Sequence, residues 1–268
     1  MNTPQFPAAF SSIASSLGAL KRYFPARDLT RVGNLVAFFF FVGGSVLVLL
    51  YGLFNTFAAY QKHGPALIDD RLTAPLTIAC IMLVLGLAAG RAAYVNWNRA
   101  VAVYERGFAF RDRKGVQTWR WEEIISLTGA VTRHYIAGIY TGTTHIFSLI
   151  NLRSQRLIFN DTYANVEEME KAIQDAIYPI LYERAARQYN AGQMLVFGPV
   201  AISQAGIRIG KNTCPWTEVQ QVSIRRGILT VSKNTGGWLS GASASASVIP
   251  NPDVLLNIIH QVVGLNVD

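Results

Sequence analysis

Residues 32–61 read VGNLVAFFFFVGGSVLVLLYGLFNTFAAYQ, and residues 72–90 read LTAPLTIACIMLVLGLAAG. Neither run contains a Lys, Arg, Asp or Glu, and both lie in the first third of the chain. A helix of roughly 20 apolar residues crosses the hydrocarbon core of a bilayer, so each run is long enough to span it. The sequence therefore predicts a transmembrane hairpin at 32–93, with helices at about 33–60 and 73–93.

Basic residues are concentrated at the two outer ends of this predicted hairpin. They are Lys21, Arg22, Arg27 and Arg31 before the first run, and Arg91, Arg99 and Arg106 after the second. The connection at 62–71 has two basic and two acidic residues and therefore no excess. The positive-inside rule then predicts a multi-pass protein of the cell membrane with both termini in the cytoplasm. Because neither span contains an ionisable residue, the hairpin is expected to act as an anchor rather than as a conduction path.

Small residues lie at comparable depths on the two predicted helices. Gly86 and Gly90 form a G-x-x-x-G pair, and Gly43 and Gly44 lie on the first helix. Small side chains let helices approach closely in lipid, which supplies no hydrophobic force between them. The pair predicts either packing of the two helices within one chain or contact between two copies in a homo-oligomer.

The segment 1–31 before the hairpin carries an apolar stripe. Phe10, Ile13, Leu17, Leu20 and Phe24 recur at spacings of three and four, which fits one face of a helix. Such a helix would lie in the membrane interface, held by its apolar face and by the basic residues beside it. A disordered tail rich in Ser and Ala is the alternative.

Beyond the hairpin, short segments rich in β-branched and aromatic residues alternate with Gly, Asn and Asp, which is typical of strands and turns. The predicted strands are 100–104, 107–111, 116–121, 124–131, 145–151 and 157–160, followed by 200–203, 207–209, 217–224 and 228–231. A helix is predicted after each group. Asn165 is expected to cap the first, which Pro179 should kink or interrupt, and the second begins at Asn251 with Pro252 in its first position.

Three landmarks recur in the same order in the two groups of strands. GFAF at 107–110 matches GIRI at 206–209, WEEI at 121–124 matches WTEV at 216–219, and NVE at 165–167 matches NPD at 251–253. Ordered matches of this kind indicate a duplication, and antiparallel strands closed by one helix are the pattern of a pleckstrin-homology-like (PH-like) domain. The predicted fold class is a two-helix transmembrane hairpin plus α+β tandem PH-like domains, at 94–189 and 190–268. The alternative is one larger α+β domain with unrelated halves.

Several short strings, taken together, resemble a prokaryotic domain-of-unknown-function family. They are WEEI at 121–124, TRHYIAGIYTGTTH at 132–145, NAG at 190–192, FGP at 197–199 and IPN at 249–251. The resemblance covers most of the chain from about residue 101 onward. It implies a membrane-anchored cytoplasmic protein with PH-like folds, no assigned activity and no catalytic residues. The small, polar tract GGWLSGASASAS at 236–247 departs from the pattern and puts the last strand of the second copy in doubt.

Two groups of residues are candidate binding surfaces. The first, for an anionic group or a partner, consists of Arg133, His134, Tyr135, Tyr140, Thr143 and His145. Arginine, histidine, hydroxyls and loop amides can hold an anion, although an ordinary hairpin turning at Gly142 explains the same residues. The second is the turn with Arg111, Arg113 and Lys114, which is predicted to face anionic lipid. Turns are also often charged simply because they are solvated.

Other classes of function find no support in the sequence. No G-x-S-x-G, phosphate-loop or H-E-x-x-H pattern occurs, so no catalytic residues are expected. Cys80 and Cys214 do not have metal-site spacing, and the histidines lack a third ligand, so no metal or cofactor is expected. About half of the net charge of +8 lies in the hairpin flanks, and the rest forms no nucleic-acid motif, so no nucleic-acid partner is expected.

These observations predict a non-enzymatic interaction module anchored in the membrane, which presents its domains at the cytoplasmic face and binds a protein partner or anionic lipid. One alternative is an accessory subunit of a larger membrane complex, in which the hairpin itself forms the contact. The other is an enzyme of unknown reaction.

Overall fold

The computed structural model describes residues 10, 13–64, 68–112, 115–136, 139–233 and 242–263. In chain order the first part comprises α1 (Ala14–Leu17), β1 (Leu20–Pro25), α2 (Asp28–His63), α3 (Ile68–Trp97), β2 (Ala100–Tyr104), β3 (Gly107–Asp112), β4 (Gly115–Arg120), β5 (Ile124–Ile136), β6 (Ile139–Asn151), β7 (Arg156–Asn160) and α4 (Val166–Asn190). The second part comprises β8 (Leu195–Phe197), β9 (Val200–Ser203), β10 (Gly206–Ile209), β11 (Asn212–Pro215), β12 (Val219–Arg225), β13 (Ile228–Lys233), β14 (Ala242–Ser245) and α5 (Pro252–Val263).

Helices α2 and α3 are long and apolar enough to cross a bilayer, with mean hydropathies of 2.3 and 2.2 over their most apolar stretches. Only 11% of each stretch is buried inside the chain. The exposed side chains include large apolar residues such as Phe40, Leu47 and Phe54. Both helices extend beyond the predicted spans, and α3 continues to Trp97, where it meets the first sheet.

The first sheet has the order β1-β2-β3-β4, and all its neighbouring strands are antiparallel. Its first strand, β1, lies before the long helices α2 and α3 in the chain, and its partner β2 lies after them. The sequence-based prediction for 1–31 was therefore wrong within the described residues: 20–25 form a strand, and helix α1 has only four residues. Helical spacing misled the prediction because the backbone partner of β1 is remote in the chain.

Residues preceding β1 pack on the first sheet. Phe10 and Leu17 are fully buried in a small cluster with Ala102 and Tyr104. The Tyr104 hydroxyl donates a hydrogen bond to the Phe10 carbonyl oxygen at 3.0 Å. Apolar side chains that were expected to face lipid thus face protein instead.

A second, three-stranded sheet with the order β5-β6-β7 follows a 3-10 turn at Trp121–Glu123. Helix α4 then packs its buried side chains on the core, and it begins one residue after Asn165. The prediction that Asn165 caps this helix was wrong: its backbone is left-handed (φ 53°) and its side chain makes no capping hydrogen bond. Helix α4 also runs through Pro179 without interruption, because a stripe of buried side chains holds it on both sides of the proline.

The second part of the chain has the same order of elements. Strands β8–β11 form a four-stranded antiparallel sheet, a 3-10 turn at Trp216–Glu218 follows, and β12–β14 form a three-stranded sheet before α5. The sequence missed the short strands β8 and β11, and it placed the start of β12 inside the 3-10 turn. Strand β14 forms within the tract that had put the last strand in doubt, whereas 234–241 lie outside the described residues.

One hydrophobic core runs through both parts, from Phe24 to Ile259. Polar contacts also join them. The side chain of Asn251 accepts a hydrogen bond from the Leu127 amide at 2.8 Å and donates one to the Ile125 carbonyl at 3.0 Å. The Tyr189 hydroxyl donates to the Ser203 carbonyl at 3.1 Å. The two cysteines, Cys80 and Cys214, are free thiols.

Candidate functional site

The predicted surface at 133–145 lies on the long hairpin of β5 and β6. His134 contacts Thr144 through a 2.7 Å hydrogen bond between Nε2 and Oγ1. Since successive strand residues point to opposite faces, His145 lies on the other face from Thr144, and the two histidines are separated. Arg133 pairs with Thr143 and Tyr135 with Tyr140 in the ladder, but the side chains of Arg133, Tyr135 and Tyr140 lie outside the described part of the structure. The ladder therefore separates the two histidines, and the set as a whole stays a prediction.

His145 also contacts a small group of polar residues beside the hairpin. Its backbone amide donates to Asp161 Oδ2 at 3.1 Å, and its buried Nδ1 has no hydrogen-bond partner among the described residues. The Glu170 carboxylate packs on Gly129, where a Cβ would lie 2.1 Å from Oε1. Burial raises the pKa of Glu170, and the nearby His145 partly opposes that rise.

The predicted basic turn is described only in part. Arg113 and Lys114 lie outside the described residues, as does the side chain of Asp112. Arg111 is partly buried near the end of β3 and lines a cavity at the point where α2 begins and α3 ends. Arg111 therefore lies beside the β3–β4 turn and also lines a site assembled from remote segments, whereas the turn as a lipid-facing surface stays a prediction.

We call that space, about 390 Å³ in volume, the arginine cavity. It is lined by Phe10, Tyr23 and Pro25, by Asp28 and Arg31 of the first turn of α2, by Trp97 to Arg99 where α3 ends, by Ala100 of β2 and by Arg111 of β3. Antiparallel pairing of β1 with β2 and of β2 with β3 brings the segments together, because Pro25 lies opposite Ala100 and Ala100 lies opposite Arg111.

The charge of the arginine cavity is positive. Its described lining has three arginines (Arg31, Arg99 and Arg111) and a single carboxylate, which belongs to Asp28. Arg31 Nη2 contacts Asp28 Oδ1 at 3.0 Å and donates to the Ala26 carbonyl at 2.8 Å. The Asp28 side chain is 89% exposed, so solvent screens its charge. The Nε of Arg31 is buried without a hydrogen-bond partner in the described structure, which leaves one charged donor unmatched.

The positive charge of the arginine cavity also acts on the hydroxyl of Tyr23, which lies in its wall. Burial raises the pKa of its hydroxyl, and the guanidinium groups of Arg31 and Arg111 act in the opposite direction. Two cations from different elements thus act on one hydroxyl at the cavity wall. A group with negative charge is the ligand that this arrangement favours.

An apolar groove adjoins the arginine cavity. The interhelical groove, about 460 Å³, is lined by Leu35 and Phe38 of α2, by Gly90, Ala93, Tyr94 and Trp97 of α3, and by Asn98. Trp97 and Asn98 line both spaces. A polar compartment and an apolar compartment therefore meet where the helices join the sheet.

The glycine pair of α3 lies in the contact between the two long helices. A Cβ on Gly86 would lie 2.8 Å from Val42 Cγ2 and 3.1 Å from the Val42 nitrogen, and one on Gly90 would lie 2.6 Å from Phe38 Cδ2. A Cβ built on Gly43 meets no described atom within 4 Å. The close approach within the chain thus uses Gly86 and Gly90.

Sequence reasoning counted Arg31 and Arg99 only as markers of orientation and missed their shared site. No local pattern links them, because they are separated by both long helices and meet only through the β1–β2 pairing. Recognition of β1 as a strand would have supplied that link. Among the described residues, no group of three or more His, Cys, Asp or Glu side chains is placed to hold a metal ion.

Comparison with protein-family models gives a match over most of the chain. The model described as "Family of unknown function (DUF6585)" matches residues 11–265, which include both long helices and both groups of strands. A search of curated proteins gives no match to this chain.

Proposed function

Because the chain belongs to a family of unknown function, DUF6585, we propose a function from geometry: a membrane-anchored, non-enzymatic interaction module that binds a protein partner or anionic lipid. The main observation behind this proposal concerns the two long helices. Helices α2 and α3 expose their apolar surface, whereas the start of α2 and the end of α3 adjoin the paired strands β1 and β2 of the first sheet. An apolar hairpin of this length finds a suitable solvent in the bilayer core. The sheets are then held at the membrane surface.

Basic residues support an orientation with both chain termini in the cytoplasm. Arg27 and Arg31 flank the start of α2, whereas Arg91 and Arg99 lie near the end of α3. The positive-inside rule places such flanks on the cytoplasmic side. Under this proposal the arginine cavity faces the anionic inner leaflet.

The order of elements supports two PH-like units produced by duplication. Each part has a four-stranded and a three-stranded antiparallel sheet followed by a helix. The landmark glycines have the same surroundings: a Cβ would lie 2.2 Å from the Trp119 carbonyl oxygen at Gly107, and 2.3 Å from that of Cys214 at Gly206. In this view the membrane hairpin is an insertion between the first two strands of unit one, where unit two has only the turn Gly198–Pro199.

The arginine cavity also supports a binding role rather than catalysis. Its described lining includes no His, Cys or Ser, and its single carboxylate, that of Asp28, is exposed to solvent and paired with Arg31. Guanidinium groups hold anions through paired hydrogen bonds and keep their charge at any physiological pH. Because this positive charge does not change within the physiological pH range, the cavity is suited to the docking of an anionic group.

Membrane anchorage and orientation are tested together. Sodium carbonate extraction should leave the full chain in the membrane pellet. In a background with C80S and C214S, an impermeant maleimide applied to intact cells should label K62C, whose position is exposed near the end of α2, and should not label S16C or R187C. Release by carbonate, or the reverse labelling pattern, would contradict the proposal.

A photocrosslinking residue distinguishes the interaction module from an accessory subunit. Placed at Val131 of β5 (60% exposed), it should capture a protein partner if the sheets form the binding surface. Placed at Phe40 of α2 (67% exposed), it should capture one if the hairpin is the contact. Adducts from position 40 alone would favour the subunit role.

A further inference from the structure

The arginine cavity and the interhelical groove are arranged in sequence along one helix face. Arg31 lines the cavity, and Leu35 and Phe38 line the groove. These residues are spaced by four and three, so they lie on the same face of α2. A rise of 1.5 Å per residue places Phe38 about 10 Å above Arg31 along the helix axis. The path therefore leads from a cationic compartment into an apolar one.

Aromatic residues mark the boundary between the two compartments. Trp97 lines both spaces and is 49% exposed, and Tyr94 lines the groove and is 82% exposed. Tryptophan and tyrosine concentrate at the level of lipid headgroups, where one end of the side chain is apolar and the other is wet. This level coincides with the junction of the cavity and the groove.

A phospholipid has groups that match these two compartments in the same order, because its phosphate is followed by acyl chains. We propose that the arginine cavity and the interhelical groove form one binding site for a single anionic glycerophospholipid. The phosphate lies among Arg31, Arg99 and Arg111, and one acyl chain lies between Leu35 and Phe38 of α2 and Ala93 of α3. This inference rests on the proposed membrane anchorage, and it adds a defined ligand to it.

The positive lining decides the class of lipid. Three arginines against one exposed aspartate give the described lining a net charge of +2. A zwitterionic lipid brings its own cation, which would meet these guanidinium groups, whereas an anionic lipid brings none. Each basic residue near an anionic bilayer strengthens binding about fivefold, so two cavity arginines account for a preference of more than tenfold.

The test uses the full chain, purified in mild detergent and titrated with phosphatidylglycerol or with phosphatidylcholine of the same acyl chains in native mass spectrometry. One phosphatidylglycerol should bind saturably, at least about tenfold more tightly than phosphatidylcholine. The double variant R99Q/R111Q should lose that preference. The matched control K21Q/R22Q removes two exposed charges from β1, outside the cavity, and should change affinity less than twofold.

The groove is tested by L35W, which fills it with a larger side chain. This variant should weaken binding of the diacyl lipid severalfold without changing binding of glycerol phosphate, which has no acyl chain. If millimolar inorganic phosphate displaces the lipid and L35W has no effect, the site binds free phosphate and the proposal is overturned. Equal losses in K21Q/R22Q and R99Q/R111Q would show general surface attraction and would also overturn it.

Folding of each variant is checked by its thermal unfolding midpoint. If R99Q/R111Q does not fold, the single variants R99Q and R111Q each remove one charge, and each should weaken phosphatidylglycerol binding about fivefold. Wild-type affinity in both single variants would overturn the proposal. Carbonate extraction of the same membranes separates the two hypotheses: a chain that stays embedded without preferring anionic lipid contradicts only the lipid site, whereas a chain that is released contradicts the anchorage itself.

Discussion

Pro25 of β1 lies opposite Ala100 of β2 in an antiparallel ladder, although both long helices lie between them in the chain. The Ala26 amide donates to the Arg99 carbonyl at 2.9 Å, so the pairing continues to the residues just before α2 and just after α3. The helices therefore leave and re-enter the sheet at neighbouring points. This geometry makes the hairpin separable from the sheet that carries it.

Replacement of residues 26–99 by a two-residue β-turn such as Asn-Gly should give a soluble, folded protein. Pro25 and Ala100 are already paired, so a tight turn can close the two strands without moving them. Gel filtration should show a monomer, and circular dichroism should show a cooperative thermal transition with β structure.

The matched control is truncation of residues 1–97, which removes the same helices and also β1. This chain loses Phe24, which is 4% exposed in the core, and exposes one edge of β2. Loss of a buried Phe alone costs about 3–5 kcal/mol, so the truncated chain should aggregate or unfold at lower temperature. If both chains behave alike, β1 contributes nothing to the fold.

Local signals in the sequence account for the elements that were predicted correctly. The charge-free runs and the β-branched segments 100–104 and 200–203 carry their own hydrophobic pattern, and the closing helix at Pro252 carries its own start signal. Such patterns need no knowledge of the partner element.

The elements that were missed depend on remote partners. Strand β1 reads LKRYFP and pairs across the entire hairpin, and β14 reads ASAS and has little apolar surface of its own. The arginine cavity was missed for the same reason, because Arg31, Arg99 and Arg111 meet only after β1, β2 and β3 pair. These strands and the cavity depend on pairing with remote strands, and such pairing produces no periodic pattern of apolar residues in the sequence.

G86L should destabilise the hairpin, because a side chain there would meet Val42, including its backbone nitrogen. Overpacking of this kind costs roughly 1–3 kcal/mol. The thermal unfolding midpoint of the full chain in detergent should fall. G43L introduces the same side chain where the described structure leaves open space, and it should leave the midpoint within about one degree. If G43L instead abolishes a chemically cross-linked dimer, α2 contacts a second copy through this face.

N251A should weaken the connection between the two parts of the chain. It removes the side-chain oxygen that accepts from the Leu127 amide and the nitrogen that donates to the Ile125 carbonyl. Leaving such groups unsatisfied costs about 1–3 kcal/mol, which should appear in urea unfolding.

N165A is the control for that substitution. Asn165 and Asn251 both precede a helix with positive φ, 53° and 50°, so alanine brings similar backbone strain at either position. Asn165 makes no capping hydrogen bond with its side chain. The difference between the two losses therefore measures the Asn251 hydrogen bonds, and equal losses would show that they contribute nothing.

Glu170 should make the folded state less stable as pH rises. Burial raises the pKa of its carboxyl above the ordinary value of 4.5, and the charges of Glu167 and Asp253 add to that rise while His145 opposes it. Between the unfolded and folded pKa values the folded state binds more protons than the unfolded state. The stabilising contribution of the protonated form is therefore complete below pH 4.5 and is lost as pH rises through the folded pKa.

E170Q keeps the shape of the protonated side chain and cannot ionise, so it should raise the free energy of unfolding at pH 7 relative to the wild type. The gain should shrink as pH falls and vanish only below pH 4.5, where the wild-type carboxyl is protonated in both the folded and the unfolded chain. E168Q is the control, because Glu168 is exposed two residues away on the same helix. Urea unfolding from about pH 3.5 to about pH 8 measures all three proteins. A gain in E170Q that does not change with pH, or that E168Q reproduces, would mean that burial of this carboxylate is not what destabilises the fold at neutral pH.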